Sequence, residues 1–206
     1  MAITSFSNIF VQSYINHFGS DFMSGWTAYS KVDQLLFLPM QSIALASTTF
    51  VGQNLGRNQP ARAKKGVSLS VMLALATTAV LLVPIMIFPK PIVAFFNDKT
   101  EVIEYGSNLL LWLSPFYLVC CFNQVYTGAL RGAGNSKAPM IIMLSTYVVF
   151  RQIYLFVASK ICNEYLVIAM SYPAGWIMCT LLTTFYYHTV SLSKTRVVED
   201  TSPQEP

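Results

Sequence analysis

The chain has 206 residues, 54% of them hydrophobic and 11% charged, with a mean hydropathy of +0.50. Soluble domains carry about 25% charged residues, so a water-facing surface is excluded for most of this sequence and lipid is its expected solvent. The net charge of +4 gathers in a few short links, which reads as membrane topology and not as affinity for nucleic acid.

Six apolar spans follow one another, at Met1–Phe18, Trp26–Gly52, Val67–Phe88, Tyr105–Thr127, Pro139–Ser159 and Leu166–His188. Each is near the roughly 20 residues that a bilayer crossing requires. They predict an all-α, polytopic membrane bundle of about six transmembrane helices over 1–189, then a disordered, Pro-containing cytoplasmic tail over 190–206. The first span is short and starts at Met1 with no polar flank, which predicts a truncated helix whose natural start lies upstream. The first thirty residues hold no Lys or Arg, so the charged n-region of a secretory signal is missing.

In the first span Ser5, Asn8, Gln12 and Asn16 recur at three- and four-residue steps and share one helix face. Such a stripe either bonds neighbouring helices, at roughly 0.6–2 kcal/mol per contact, or forms one wall of a wet cavity; both readings stay open. The second span sets Thr27, Lys31, Gln34, Gln41 and Thr48 along one side and Asp33 on another, with Phe37 and Met40 above it. Lys31 and Asp33 are two residues apart and cannot pair with each other along a helix. Lys31 is close enough to the outer end to snorkel. Asp33 lies roughly 10 Å in by helical rise, where a carboxylate must be paired, protonated or wet. Pro39 removes a backbone hydrogen bond mid-span and loosens the helix there.

The link Gln53–Gly66 holds Arg57, Arg62, Lys64 and Lys65 and no anion. Gly52 and Gly56 fit a sharp turn off a helix end, and Pro60 fits the first position of the next helix. The third span is featureless apart from Pro84. After it, Asp98 and Glu101 have capping-box spacing and mark the start of the fourth helix. Pro115 predicts a kink in that helix, whose far end gathers Asn123, Gln124, Tyr126 and Thr127 as caps or gate contacts. The fifth span contains Arg151 at a depth like that of Asp33, with Tyr147 and Tyr154 at i−4 and i+3 to accommodate its guanidinium. An interaction between Asp33 and Arg151, direct or through water, is expected. The sixth span has Pro173, Gly175 and Trp176 in its outer part and ends on Tyr186, Tyr187 and His188.

Orientation follows from the cations in the links. Arg57, Arg62, Lys64, Lys65, Arg131, Lys137, Lys194 and Arg196 make eight on one side, against Lys90, Lys99 and Lys160 on the other. Eight against three puts the first set and both termini in the cytoplasm of a plasma (inner) membrane protein. Cys120, Cys121, Cys162 and Cys179 show no CxxC or His–Cys spacing and read as inert thiols. No HExxH or GxSxG supports an intramembrane enzyme, and no GK[ST] supports ATP-driven pumping.

Three segments carry a family resemblance. FVGQNLGRNQPARAKKGV, from Phe50 to Val67, resembles the glycine-containing loop after the eighth helix of multidrug and toxic compound extrusion (MATE) transporters; Gly52, Gln53, Asn54 and Gly56 stand at its start. GALRGAGNSKAP, from Gly128 to Pro139 with Arg131, Gly132 and Gly134, is similar to that family's loop between helices ten and eleven. Tyr14 to Gly19, then Gly25 and Leu38-Pro39-Met40, resemble the join of helices seven and eight. The match runs in the expected order over about Met1 to His188.

The resemblance implies the C-terminal six-helix lobe of a twelve-helix antiporter that exchanges organic cations and other amphiphiles for Na⁺ or H⁺. It further implies an N-terminal six-helix lobe as partner and no cofactor beyond the coupling ion. The candidates for the substrate or ion pathway are Asn8, Gln12, Lys31, Asp33, Gln34, Gln41 and Arg151. One departure stands out: some members place acids in helices seven and ten, but Met1–Phe18 and Tyr105–Thr127 contain no Asp or Glu. The coupling site is therefore expected outside this chain, with Asp33 a local candidate. The alternatives are a related flippase or exporter of lipid-linked saccharides, and a lobe that does not transport alone.

Overall fold

The computed structural model describes Val11, Ile15 and residues 18–161 and 164–190. Asn8, Gln12 and the rest of the first span apart from Val11, Ile15 and Phe18 lie outside the described residues, as do Cys162 and residues 191–206. In chain order the elements are α1 (Ser20–Gly56), α2 (Pro60–Ile87), the short α3 (Pro89–Ala94) and α4 (Thr100–Leu113). A 3₁₀ turn at Ser114–Phe116 leads into α5 (Tyr117–Gly132). Then come α6 (Lys137–Leu144), a π-helical stretch at Ser145–Phe150, α7 (Arg151–Ile161), α8 (Tyr165–Ala169) and α9 (Ser171–Thr189).

No strand occurs among the described residues, and the all-α expectation holds. Among the described residues, five rods are long and apolar enough to cross a membrane: Ser20–Gly56, Pro60–Ile87, Thr100–Gly132, Lys137–Ile161 and Tyr165–Thr189. They correspond to the second through sixth spans. Their outward sides carry exposed Leu45, Leu69, Val80, Ile153 and Leu181, a surface that only a lipid solvent tolerates. The chain is an integral, multi-pass membrane protein.

The helices run further than the apolar stretches, because polar residues at their ends remain helical once they leave the hydrocarbon. The 37 residues of α1 measure about 55 Å, against a hydrocarbon core of about 30 Å. This corrects the reading of the basic link. Gly52, Gln53, Asn54 and Gly56 are the last turns of α1, and Lys64 and Lys65 lie in the first turns of α2, so the connection is only Arg57-Asn58-Gln59. Pro60 opens α2 as expected.

The residue that turns the chain is Asn58, at φ 54. Its N–H donates to the Leu55 carbonyl (3.0 Å) and the next N–H, of Gln59, donates to that of Asn54 (2.8 Å). This is a Schellman closure with Asn in the left-handed position. A second one ends α5, where Gly134 has φ 82 and the N–H groups of Gly134 and Asn135 donate to Arg131 (3.0 Å) and Leu130 (2.9 Å). Arg131 and Gly132 are thus helical too. At the opposite end, α4 starts at Thr100 with Lys99 at its N-cap, not Asp98 as the capping-box spacing implied, and no side chain caps it. The local bond there is from the Lys99 N–H to Asn97 (2.9 Å), not through Asp98.

The core forms around two parallel rods, α1 and Thr100–Gly132. Gly25 meets Gly106 near their first turns, Met40 meets Cys121 midway, and Ala44 and Thr48 meet Gly128 and Gly132 at the far end. The Thr48 hydroxyl donates to the carbonyls of Ala44 (2.9 Å) and Gly128 (2.9 Å), a bond that requires backbones in near contact. Pro115 sits in the 3₁₀ turn between α4 and α5, so the expected kink is a local tightening that re-aims the helix. Pro39 and Pro84 lie inside α1 and α2.

Candidate functional site

Asp33 points from α1 towards the start of α5. Its Oδ1 accepts hydrogen bonds from the hydroxyl of Tyr117 and, at 3.4 Å, from that of Tyr29 one turn earlier on α1. The two hydroxyls are also 3.0 Å apart. Tyr117 is the first residue after the Pro115 turn, so that turn delivers the phenol to the carboxylate. Two donors meet the cost of a carboxylate at this depth without a counter-ion. Behind them stands an aromatic layer: Phe37 packs edge-on to Tyr117 (5.5 Å), and Trp176 packs against both Tyr117 (5.3 Å) and Phe37 (6.0 Å).

Lys31, Asp33, Gln34 and Gln41 line one groove of about 500 Å³, together with Phe37 and Phe96. Four of the seven sequence-derived pathway residues therefore share a single open cavity. The Lys31 ammonium lies over the Phe96 ring, 5.1 Å from its centroid. Thr48, placed on the same stripe by helical spacing, instead turns to Gly128.

Arg151 is buried at the first turn of α7. Its guanidinium carbon lies 3.9 Å from the centroid of Tyr172, a ring supplied by α9 that helical spacing along α7 could not single out. The expected direct Asp33–Arg151 ion pair is not formed: Lys99–Asp21 (3.3 Å) is the only ion pair among the described residues. The reason is azimuth. Arg151 and Asp33 face opposite ends of one aromatic row, Tyr172 to Trp176 (6.2 Å) to Tyr117, supplied largely by α9 between them.

Asn123 is more than an end cap. It is buried in α5; its amide donates to the Tyr147 hydroxyl (3.0 Å), and its carbonyl accepts from Thr127 (3.3 Å), Thr183 (3.2 Å) and Cys179 (3.5 Å). It joins α5, α9 and the π-helical stretch. Cys120, Cys121 and Cys179 are buried free thiols.

Sequence reasoning missed Tyr29, Tyr117, Tyr172 and Trp176. Only Tyr29 carried a signal, its i−4 spacing from Asp33. The other three are aromatic residues in apolar runs, indistinguishable from packing residues until helix pairing is known.

A profile of the MatE family matches residues 1–157. Among curated proteins, the chain is 26% identical over 202 residues to the probable multidrug resistance protein YoeA of Bacillus subtilis, covering 97% of this chain and 44% of YoeA. It is 33% identical over 113 residues to the probable multidrug resistance protein NorM of Mannheimia succiniciproducens, covering 55% of this chain and 24% of NorM. A third similarity, 23% over 142 residues, is to the FAD transporter of Shewanella oneidensis, covering 69% of this chain and 31% of that protein. The chain spans less than half the length of each of these relatives.

Proposed function

Because the chain belongs to the MatE family, we propose that it is the C-terminal six-helix lobe of a multidrug efflux antiporter that exchanges small amphiphilic or cationic solutes for Na⁺ or H⁺. The observation that carries this reading is the groove on α1, where an acid, a base and two amides converge at mid-helix among aromatic rings. Polar groups at that depth are costly in lipid and mark a solute path. Support for half a transporter comes from the fraction of YoeA that is matched, 44%, and from the order of the three sequence motifs. The missing N-terminal lobe completes the passage, and the protein resides in the plasma membrane with both termini in the cytoplasm. In this reading Asp33 supplies the negative charge of the groove, and Tyr117 and Tyr29 fix its orientation.

The test is ethidium efflux from drug-sensitive cells expressing the complete transporter that contains this lobe. Asp33→Asn is expected to bring efflux down to the empty-vector rate while membrane expression is retained. Wild-type-like efflux from the variant would remove Asp33 from the pathway. Topology is checked with single cysteines: one replacing Arg62 is expected to react only from the cytoplasmic side, and one replacing Lys99 only from the outside. Both positions are exposed. Reaction of both from one side would overturn the orientation.

A further inference from the structure

Lys31 and Asp33 present opposite charges to one groove without neutralising each other. Among the described residues no ion pair joins Lys31 to a carboxylate, and its ammonium lies over the Phe96 ring. Asp33 uses Oδ1 for both tyrosine bonds, and Oδ2 accepts none from the described residues. A second groove of about 410 Å³ adjoins the first across Leu35 and Phe96, which line both. That second groove is apolar, formed by α1, α2 and α3 through residues such as Leu81, Pro84, Ile85 and Phe95. Its neighbours Val83, Met86 and Ile87 are exposed on the lipid-facing side of α2.

We propose that the paired grooves bind a zwitterionic amphiphile with a single hydrocarbon chain, entering from the bilayer. The cationic end of its headgroup meets Asp33 Oδ2 beside the rings of Phe37 and Phe96, where carboxylate and ring faces both favour a quaternary ammonium. The anionic end meets Lys31. The chain lies along Leu35 and Phe96 into the apolar groove. Two charges that a helix holds two residues apart cannot satisfy each other, and a ligand carrying both signs satisfies them together. This specifies the substrate class of the groove in the function proposed above and rests on that reading of the site, but binding is measured without transport.

The experiment uses this chain purified in a nonionic maltoside and native mass spectrometry with three single-chain probes of equal chain length. They are a lysophosphatidylcholine, a lysophosphatidylglycerol and an alkyltrimethylammonium. The expected order is tightest binding of the zwitterion, with a Kd about tenfold below either singly charged probe, equivalent to about 1.4 kcal/mol. Lys31→Gln is expected to reduce the zwitterion to the level of the cation, and Asp33→Asn to the level of the anion. Leu35→Trp, which fills the shared ridge, is expected to weaken all three. Equal Kd values for the three probes on the unaltered chain would overturn the proposal, whatever the variants do. So would tighter binding of the cation than of the zwitterion. Wild-type-like efflux from the complete transporter carrying Asp33→Asn, alongside the expected binding order, would reject the transport reading and leave this one standing.

Discussion

Gly132→Leu is expected to unfold the helical bundle more readily than any surface substitution, lowering stability by about 3 kcal/mol. A Cβ at this position would meet the Thr48 carbonyl and backbone, and one at Gly128 would meet the Ala44 carbonyl. Neither obstacle is a side chain that can rotate away, so α1 and α5 would have to separate. Separation also removes the Thr48 hydroxyl bond to Gly128. In lipid no hydrophobic force between helices offsets such a gap, and close backbone packing is itself the adhesive. Two nearby glycines serve as contrasts. Gly134→Ala is expected to cost about 1–2 kcal/mol, from its left-handed backbone alone. Gly56→Leu meets open space and should change stability by no more than about 0.5 kcal/mol. Circular dichroism during titration with a denaturing detergent ranks the three. A Gly132→Leu variant that unfolds with the parent would show that the helices are not in backbone contact there.

The membrane architecture was legible because a bilayer imposes one length and one polarity on every crossing segment. The groove was legible for a related reason: Lys31, Asp33, Gln34 and Gln41 are conspicuous in an apolar helix, and helical spacing alone brings most of them together. Partner choice was not. Depth along two helices suggested that Asp33 and Arg151 meet, but depth says nothing of rotation about the helix axis. The structure spends that carboxylate on Tyr117 and Tyr29 and places Arg151 over Tyr172. Likewise, the family resemblance of Gly128–Pro139 places Gly128 and Gly132 in a loop. Their four-residue spacing is also that of a close helix crossing, and the structure uses Gly132 and Gly128 in that way, leaving the turn to Gly134. Composition cannot separate the two roles, since both need a residue without a side chain.

Asn123→Leu is the second substitution with a large expected effect, about 2–3 kcal/mol. Leucine has the branched skeleton of asparagine and the same number of side-chain heavy atoms, so no cavity is created and the loss reflects chiefly the four polar contacts of the amide. At an average of about 0.6 kcal/mol per interhelical hydrogen bond in a membrane protein, the contacts to Tyr147, Thr183 and Cys179 account for most of that size, and the Thr127 contact within α5 adds to it. The Thr127 and Thr183 hydroxyls lose an acceptor inside a buried cluster, which raises the cost further. Asn123→Ala adds a void and should cost roughly another 1 kcal/mol. Tyr147, the donor's partner, belongs to the π-helical stretch at Ser145–Phe150 and packs opposite Gly175 of α9. A π-helical turn is a strained arrangement that persists where tertiary contacts hold it, and Asn123 is one such contact. Amide hydrogen exchange within 145–150 is therefore expected to quicken in Asn123→Leu while exchange in the middle of α1 stays slow. A double-mutant cycle with Thr183→Val isolates one pair, for which a coupling of about 0.6 kcal/mol is expected. Unchanged exchange across 145–150, with unfolding that coincides with the parent, would mean that α5 and the π-helical stretch are held together by packing alone.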